Sequence, residues 1–485
     1  ETDTEVLPHL IEEFYEGDLE AALRRALERV RGSYALTVVS IHDPDLLLAV
    51  RKDSPLVIGL GEGEYFVASD IPAVLPYTRD VLILEDGDLA RIRRGGIELS
   101  GADGARVERA PLRVTWDATA AEKGGYTHFM LKEIHEQPDT VRDTLRGRIL
   151  DGRVELPELG MSAEQARSFE RIYLVACGTA YHAGLVAAQT WEQRLRIPVT
   201  ADLASEFRYR DPVIDDRTLV VLVSQSGETA DTLAAMRAAK GCGATTLAIV
   251  NVVGSTLARE ADCALFTQAG PEICVASTKA YTSQLAAVYL LGLYLGRLRG
   301  SLPADEEGRL VEALLQLPAQ IAQILTREEE LLGVAHGFAS CHDFFFLGRG
   351  LDYAVAQEGA LKLKEISYRH SEALAAGEMK HGTLALVTDE VSAICIATQQ
   401  RLREKLASNI KEVTARGASV LAIARESDTE IRHYCNGVFA IPDTLDELTP
   451  ILSIIPMQIL AYYIARDSGC EIDQPRNLAK SVTVE

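Results

Sequence analysis

Ile172-Tyr-Leu-Val-Ala-Cys-Gly-Thr179 and Leu219-Val-Val-Leu-Val-Ser-Gln-Ser-Gly-Glu-Thr229 are the stretches that decide the fold class. In both, a continuous apolar run ends in small and hydroxyl-bearing residues, and a segment with helical spacing of apolar residues follows. Continuous apolar runs are typical of strands that are buried on both faces of a parallel sheet. The two stretches therefore predict strand–loop–helix units of an α/β protein.

The same scheme recurs further along the chain. Apolar runs that predict strands lie at 246–250, 343–347, 391–397 and 419–424, and segments with helical spacing lie at 354–368 and 402–416. This pattern is a weak internal repeat. It predicts two doubly wound parallel-sheet units in tandem, connected by a charged helical segment at 305–332.

The front of the chain follows a different pattern. A predicted helix at 19–31 is followed by short strand-like runs at 34–40, 46–50, 56–60, 65–69 and 80–84. Gly, Pro and Asp separate these runs, which favours an antiparallel sheet. The predicted parts are a front domain 1–117, a linker 118–125, two α/β units at 126–301 and 302–469, and a tail 470–485.

The charge balance limits the partners. The 485 residues include 49 basic and 71 acidic side chains, which gives a net charge of −22. Such a chain is a poor candidate for general binding to nucleic acid or to anionic membranes. A small phosphorylated ligand stays possible, because backbone N–H groups at helix N-termini can hold it. The apolar stretch around Leu285–Leu295 is too short for a membrane span and predicts a buried helix.

Cysteine and histidine usage predicts neither a disulfide framework nor a metal site. The eight cysteines are scattered without a C-x-x-C pair, and the ten histidines show no metal-ligand spacing. This favours free thiols in a reducing compartment, and no secretory signal opens the chain, so we expect a cytoplasmic protein. No G-x-x-x-x-G-K-[ST] or G-x-G-x-x-G motif occurs, so no nucleotide cofactor is predicted. The chain begins at Glu1 without Met or a recognisable domain start, and we expect that a front part is missing.

Three hydroxyl-rich segments are candidates for one ligand site. They are Cys177-Gly-Thr179, the loop 224–229 and Val275-Ala-Ser277, which opens a predicted helix. Taken alone, the loop 224–229 is more simply explained as an N-cap with a capping-box glutamate. Because strand ends of an open α/β sheet converge on one crevice, the three segments together predict a site for a phosphate and a polyol.

Three charged residues of the predicted helix 354–368 share one face. Glu358, Lys362 and Glu365 are spaced i, i+4, i+7. A solvated ion pair is the simpler explanation. However, Ala, Leu and Gly fill the positions between them, so this helix has the composition of a buried one. A carboxylate beside an amine in a partly dry cleft is suited to proton transfer.

Two further residues have weaker support from the sequence alone. His381 follows a turn and is flanked by Gly382, and an isolated loop histidine usually has no function. Lys480 would ordinarily be a surface lysine. A reactive lysine needs partial desolvation, which a terminal segment folded over a cleft could provide.

Longer segments carry a family resemblance. They are CGTA at Cys177, ASEFRYR at Ala204, SQSGETADTL at Ser224, VASTKAYT at Val275, EGALKLKEISY at Glu358, GEMKHGTLAL at Gly377 and DQPRNLAKSVTVE at Asp473. Over almost the entire chain they resemble the isomerizing glutamine–fructose-6-phosphate aminotransferases, also called glucosamine-6-phosphate synthases. The S-x-S-G-x-T element alone would indicate only the wider sugar isomerase (SIS) family. The helix motif and the C-terminal string are far more specific.

The resemblance implies a function in amino-sugar (hexosamine) biosynthesis. It implies glutamine-dependent conversion of fructose 6-phosphate to glucosamine 6-phosphate, without a cofactor or metal, by a homodimer with two SIS domains. The substrate contacts that it implies are Cys177, Gly178, Thr179, Ser224, Gln225, Ser226, Thr229, Val275, Ser277 and Ala479.

The resemblance also implies catalytic roles. Glu365 is expected to carry a proton between C1 and C2 of the sugar, and Lys362 to line the same site. Lys480 is expected to form an imine with the opened ketose. His381 is expected to open the sugar ring in the site of the neighbouring subunit. Ketose–aldose exchange needs one group that moves a proton between adjacent carbons, and a carboxylate can do this.

The front resembles the rear part of the family's N-terminal-nucleophile glutaminase domain. Asp3 matches the carboxylate that holds the amino group of glutamine. The chain departs from the family at its start, where Glu1 stands instead of the nucleophilic N-terminal Cys, and no cysteine precedes Cys177. A second departure is Ala180, where the family often has Ser. We therefore expect that this chain does not release ammonia from glutamine.

Two other functions remain open at this point. The chain could be a stand-alone hexose-phosphate isomerase or deglycase, although the glutaminase-like front and the C-terminal string argue against this. It could also be a sugar-phosphate sensor without catalysis. A sensor needs the hydroxyl-rich segments but not Glu365, His381 and Lys480 together.

Overall fold

The computed structural model of the protein describes residues 2–71, 73–114, 122–338 and 341–483. These residues form two compact units. The first contains the chain up to 114 together with 228–230 and 482–483, and the second contains 122–227 and 231–481. Of the predicted linker 118–125, residues 118–121 lie outside the described residues, so this boundary stays a prediction.

The first unit is an α+β unit with two antiparallel sheets. Its helices and strands are α1 (Val6–Glu13), α2 (Leu19–Leu27), β1 (Tyr34–Ser40), β2 (Asp43–Lys52), β3 (Val57–Leu60), β4 (Tyr65–Ala68), β5 (Asp80–Ile83), β6 (Leu89–Arg93), β7 (Gly96–Ser100), β8 (Arg106–Val107) and β9 (Leu112–Arg113). The strand orders are β1-β2-β6-β7-β8 and β4-β3-β5-β9. The antiparallel arrangement and the five predicted strands are confirmed.

Helix α2 begins where the sequence predicted and ends earlier. The Asp18 side chain accepts hydrogen bonds from the N–H groups of Glu20 and Ala21, at 2.9 and 3.2 Å, and so caps the first turn. The predicted end at Arg31 is wrong. After Leu27 the chain tightens into i→i+3 bonding, in which the Val30 N–H donates to the Leu27 carbonyl.

The second unit begins with helices and the first of two parallel sheets. Its elements up to residue 299 are α3 (Phe129–His135), α4 (Gln137–Leu145), β10 (Ile149–Leu150), β11 (Arg153–Val154), α5 (Ala163–Ser168), β12 (Arg171–Ala176), α6 (Gly178–Leu195), β13 (Val199–Leu203), α7 (Ala204–Phe207), β14 (Thr218–Ser224), α8 (Ala230–Gly241), β15 (Thr245–Val250), α9 (Thr256–Glu260), β16 (Cys263–Phe266) and α10 (Lys279–Arg299).

The remainder repeats this arrangement. Its elements are α11 (Ala304–Leu325), α12 (Glu328–Gly337), β17 (Asp343–Gly348), α13 (Leu351–Ser367), β18 (His370–Ala375), β19 (Ser392–Ala397), α14 (Arg403–Thr414), β20 (Ser419–Arg425), β21 (Gly437–Ile441) and α15 (Thr449–Asp467). The predicted connecting segment 305–332 comprises two helices, α11 and α12, because the chain turns at Thr326 and Arg327.

The two parallel sheets have the same topology. Their orders are β13-β12-β14-β15-β16 and β18-β17-β19-β20-β21, and all neighbouring strands are parallel. The predicted fold class, two doubly wound units in tandem, is confirmed. The sequence missed the outer strands β13, β16, β18 and β21, which are short and partly exposed.

One hydrophobic core extends across both sheets. It includes apolar residues of α6, α10, α13 and α15. The stretch Leu285–Leu295 lies within α10 and is buried, as predicted. One helix, Asp446–Asp467, is long and apolar enough to cross a membrane, but its most apolar stretch is entirely buried in this core.

The close approach of α13 to α15 depends on Gly359. A Cβ atom at this position would lie 2.4 Å from Sδ of Met457 and 3.1 Å from the ring of Phe346. We therefore expect Gly359→Ala to lower the free energy of unfolding by about 1–3 kcal/mol, the usual cost of overpacking a core. Chemical denaturation measures this change.

Gly308→Ala is the matched control for that substitution. Gly308 also lies inside a helix, α11, but a Cβ atom there would meet no heavy atom within 4 Å. Alanine should stabilise this helix by about 0.5–1 kcal/mol. Equal effects of the two substitutions would contradict the packing argument.

Candidate active site

Hydroxyl-bearing loops follow two neighbouring strands at the same sheet edge. Strands β12 and β14 pair in parallel with Ala176 opposite Val223, so the segments that begin at Cys177 and Ser224 leave the sheet side by side. This confirms that two of the three predicted segments share one edge. The arrangement is typical of ligand sites in open α/β sheets.

The loop 224–229 has a conformation that requires glycine. Gly227 has φ +70°, and a Cβ atom there would lie 2.2 Å from Oγ of Ser255. The Ser224 hydroxyl accepts a hydrogen bond from the Gly227 N–H at 3.0 Å, so its side chain closes the turn within the loop. Gln225 and Ser226 are half-buried, and Thr229 directly precedes α8 in the chain.

The third hydroxyl segment lies before α10. Val275 is half-buried and is tied to the tail, because its N–H donates to the Asp473 carbonyl at 3.0 Å. Among the described residues, Oγ of Ser277 is buried without a hydrogen-bond partner. A buried hydroxyl in this position is suited to bind a ligand oxygen.

The predicted stripe on α13 is buried. Glu358 and Lys362 are both fully buried, and their ion pair spans 3.5 Å. Lys362 Nζ also lies 2.5 Å from Oε2 of Glu365, whose side chain is 21% exposed. The alternative of a solvated ion pair on the helix surface is therefore wrong. Glu365 is the member of the stripe that solvent or a ligand can reach.

Thr179 connects the first α/β unit to this stripe. Its hydroxyl donates to Oε1 of Glu358 at 3.1 Å and accepts from Nζ of Lys362 at 3.1 Å. Burial opposes the charge of Lys362, but Glu365 and Glu358 outweigh it, so the pKa of Lys362 is raised. The structure therefore brings Thr179, Lys362 and Glu365 into one cluster.

The first turn of α6 supplies two further predicted residues. Gly178 is exposed, with φ +53°. Cys177 precedes it, and burial raises the pKa of its thiol. All eight cysteines are free thiols. Cys177 is therefore a protonated neighbour of the loop and not a nucleophile.

His182 is a member of the cluster that the sequence argument missed. Its Nδ1 lies 2.7 Å from Oε2 of Glu358. His182 follows Thr179 by three residues on α6, so both side chains lie on the same helix face. The three-residue spacing of Thr179 and His182 is visible in the sequence. The partner of His182, Glu358, lies 176 residues away and is not indicated by any local pattern.

Lys480 is an ammonium group paired with a buried carboxylate. It contacts Oε2 of Glu272, which is fully buried, and donates to the Cys274 carbonyl at 2.7 Å. Oε1 of Glu272 accepts the N–H groups of Thr278 and Ala280 at 2.9 and 3.0 Å. Burial opposes the charge of Glu272, but Lys480 and these donors lower its pKa. Glu272 was not predicted from the sequence, because it lies 208 residues from Lys480.

The C-terminal tail reaches the loop 224–229. Oγ of Ser481 lies 3.0 Å from Oγ of Ser226, which brings the neighbouring Lys480 to the same edge of the sheet. Ala479, the residue before it, is exposed.

Two predicted residues lie in 3-10 turns and not on α6 or α13. His381 is exposed at the end of the 3-10 turn Glu378–His381, and within the described residues no hydrogen bond joins it to Lys362 or Glu365. Asp3 begins the 3-10 turn Asp3–Glu5 in the first unit, and its side chain lies outside what the structure describes. In the described part of the chain, no group of three His, Cys, Asp or Glu side chains is placed to hold a metal ion.

Comparisons with known proteins agree with this geometry. The SIS domain family model matches residues 167–294 and 337–465, one match on each parallel sheet. The isomerizing glutamine–fructose-6-phosphate aminotransferases of Symbiobacterium thermophilum and Clostridium tetani are 55% and 53% identical to the chain. Each alignment covers 100% of this chain and 80% of the relative. The chain belongs to the isomerizing glutamine–fructose-6-phosphate aminotransferase family.

A solved structure extends the family relationship to the fold. The C-terminal domain of the glucosamine-fructose-6-phosphate aminotransferase from Francisella tularensis has a TM-score of 0.70 and 39% identity. That alignment covers 73% of this chain and 100% of the solved domain. The chain is thus an enzyme of this aminotransferase family, and its second compact unit has the family's fold. The predicted membership of the family is confirmed.

A carboxyl group next to the Lys480 pair predicts pH-dependent stability. Oε1 of Glu133 accepts the Ile273 and Cys274 N–H groups, at 2.5 and 3.1 Å. Burial and, after it, the charge of Glu272 raise the pKa of Glu133 from 4.5 to about 8, against the opposing effects of Lys480 and Lys279. The folded state then holds this proton more tightly than the unfolded state. The protonated Glu133 carboxyl therefore contributes to the stability of the folded state below pH 4.5, and this contribution is lost as pH rises towards 8.

Glu133→Gln should remove this pH dependence. Glutamine keeps the acceptor oxygen for the two N–H groups but cannot ionise. We expect the melting temperature of the variant to fall less than that of the parent between pH about 5.5 and about 8.5. Parallel thermal melts at the two pH values measure this. Identical pH dependence in parent and variant would show that Glu133 does not titrate in this range.

Proposed function

We propose that the chain carries the sugar-phosphate half of a glutamine–fructose-6-phosphate aminotransferase, which converts fructose 6-phosphate to glucosamine 6-phosphate. The observation that carries this proposal is the buried Lys362, paired with Glu365 beside the Thr179 hydroxyl. Such a pair holds a carboxylate in a fixed place at the edge of a crevice. Relatives at 55% and 53% identity have this activity in their names.

The phosphate is proposed to bind at the loop 224–229. Backbone N–H groups and hydroxyls at a strand end before a helix favour a phosphate without an excess of basic side chains. The proposed contacts are Ser224, Gln225, Ser226 and Thr229, with Thr179 beside them and Cys177, Gly178, Val275, Ser277 and Ala479 around the sugar. Phosphate binding by backbone N–H groups and hydroxyls suits a chain with a net charge of −22.

Glu365 is proposed to move a proton between C1 and C2. It is the partly exposed carboxylate of the cluster, and Lys362 stabilises its charge at 2.5 Å. A carboxylate can take a proton from one carbon and return it to the next. Lys362 also offers a positive charge to the oxygen that becomes negative during enolisation.

Three further roles belong to the same proposal. Once Lys480 has passed a proton to Glu272, its amine adds to C2 of the open ketose, and the C2 oxygen leaves as water to give the imine. His381 opens the ring in the partner's site, which requires a homodimer. Asp3 holds the amino group of glutamine in the first unit. We also expect a cytoplasmic location and a place in amino-sugar biosynthesis.

Glu365→Gln tests the proton shuttle. The amide keeps the size of the side chain but cannot accept the proton, so fructose 6-phosphate isomerisation should fall by about 10²–10⁴-fold with little change in binding. Coupled measurement of glucose 6-phosphate gives the rate, and calorimetry gives the affinity. Glu372→Gln, an exposed glutamate of β18, is the control and should behave as the parent. A parent chain that binds the sugar without turnover would indicate a sensor.

Trapping with borohydride tests Lys480. Reduction in the presence of fructose 6-phosphate should leave a stable adduct on this residue, which peptide mass spectrometry can locate. Lys480→Arg should abolish the adduct, because a guanidinium group is not nucleophilic at neutral pH. Labelling at the exposed Lys364 to the same extent would mean that the reaction is not specific to the site.

Mixed dimers test the role of His381. Chains with His381→Ala and chains with Glu365→Gln are each expected to be inactive. If His381 acts in the partner's site, one of the two sites in a mixed dimer has both groups intact. The mixed dimer then regains up to about half of the activity of the parent dimer. Absence of recovery in verified mixed dimers would assign His381 to its own subunit.

A further inference from the structure

The contact between His182 and Glu358 has no part in the proposed proton transfer. His182 Nδ1 lies 2.7 Å from Oε2 of Glu358, and its side chain is 12% exposed. Glu358 itself is fully buried. A buried carboxylate is stable only if its oxygens are paired or accept hydrogen bonds. The contact therefore needs an explanation in terms of the site.

The two oxygens of Glu358 have different partners. Oε1 accepts from Thr179 at 3.1 Å and faces Lys362 Nζ at 3.5 Å. Among the described residues, Oε2 has His182 as its hydrogen-bond donor. Loss of this donor would leave one oxygen of a fully buried carboxylate without a partner, while the other oxygen keeps both of its contacts.

The position of Lys362 depends on how Glu358 is satisfied. Lys362 lies 2.5 Å from Glu365 and 3.5 Å from Glu358, so it is held closer to the reactive carboxylate. If Glu358 lost the hydrogen bond from His182, less of its negative charge would be compensated. Its attraction for the Lys362 ammonium group would then be stronger. The 3.5 Å separation would close, and Lys362 would move away from Glu365.

We propose that His182 is a positioning residue for isomerisation, which by donating to Glu358 keeps Lys362 against Glu365. Among the described residues, no hydrogen bond or ion pair joins His182 to Glu365 or Lys362, so it acts through Glu358. This inference rests on the proposed role of Glu365. It extends that role to the first turns of α6, where Thr179 and His182 together fix both oxygens of the buried carboxylate.

Asparagine and leucine at position 182 separate the hydrogen bond from the packing. The two side chains have nearly the same size and branch at Cγ, and the amide nitrogen of asparagine can occupy the place of Nδ1. Leucine fills the same space without a donor. His182→Leu should therefore lose the contact, and His182→Asn should keep it.

The test is the rate of fructose 6-phosphate isomerisation in the two variants. His182→Leu should lower kcat by about 10–100-fold, the size typical for loss of a supporting hydrogen bond behind a reactive group, with KM within about threefold of the parent. His182→Asn should recover kcat to within about threefold of the parent. A crystal structure of His182→Leu should show a longer separation between Lys362 and Glu365.

His135 provides the matched control. Its Nε2 lies 2.8 Å from Oε2 of Glu328, a second partly buried histidine–glutamate pair that joins α3 to α12. His135→Leu should leave kcat unchanged, even if it lowers the melting temperature. A similar loss of kcat in both leucine variants would mean that destabilisation alone slows the enzyme.

The outcomes distinguish this inference from the proposed function. A parent chain that does not isomerise fructose 6-phosphate contradicts the proposed function itself. If the parent is active and His182→Leu is equally active, His182 does not position the cluster. If the leucine and asparagine variants are slowed to the same extent, the hydrogen bond to Glu358 is not the cause, and the inference is overturned.

Discussion

The buried ion pair of Glu358 and Lys362 is the constraint on which the site depends. Two fully buried charges cost several kcal/mol each unless their geometry is well satisfied. Thr179 and His182 of α6 and Glu365 of α13 supply the missing contacts. The pair therefore fixes α6 against α13, and so joins the loop edge of the first α/β unit to the charged helix of the second.

The two similar sheets of the tandem repeat provide one proposed sugar site, and the hydrogen bonds at the second sheet explain why. In the second sheet, the corresponding edge is closed by the protein's own hydrogen bonds. Oδ2 of Asp352 accepts the N–H groups of Thr398 and Gln399 at 2.8 and 3.2 Å, and Nε of Arg425 donates to the Thr398 carbonyl at 2.6 Å. These groups are already satisfied. The second α/β unit contributes the helix α13 to the proposed site in place of a second proposed phosphate loop.

Local patterns predicted the parts of the site that lie close together in the sequence. Glu358, Lys362 and Glu365 were identifiable because helical spacing places them on one face. The pairing of Lys480 with Glu272 spans 208 residues, and no local spacing indicates it. The pairing of His182 with Glu358 spans 176 residues and is likewise not indicated by local spacing. The inner strands were found from their apolar runs, whereas an outer strand such as β16, with four residues, carries too little pattern to be recognised.

A crystal structure with fructose 6-phosphate bound would show whether the two repeated units share one sugar site. We expect the phosphate at the loop 224–229, with C1 and C2 of the open sugar within about 3.5 Å of the Glu365 carboxylate. Density for the sugar phosphate at Gly348-Arg-Gly350 and Thr398 of the second sheet, with the loop 224–229 unoccupied, would contradict this expectation.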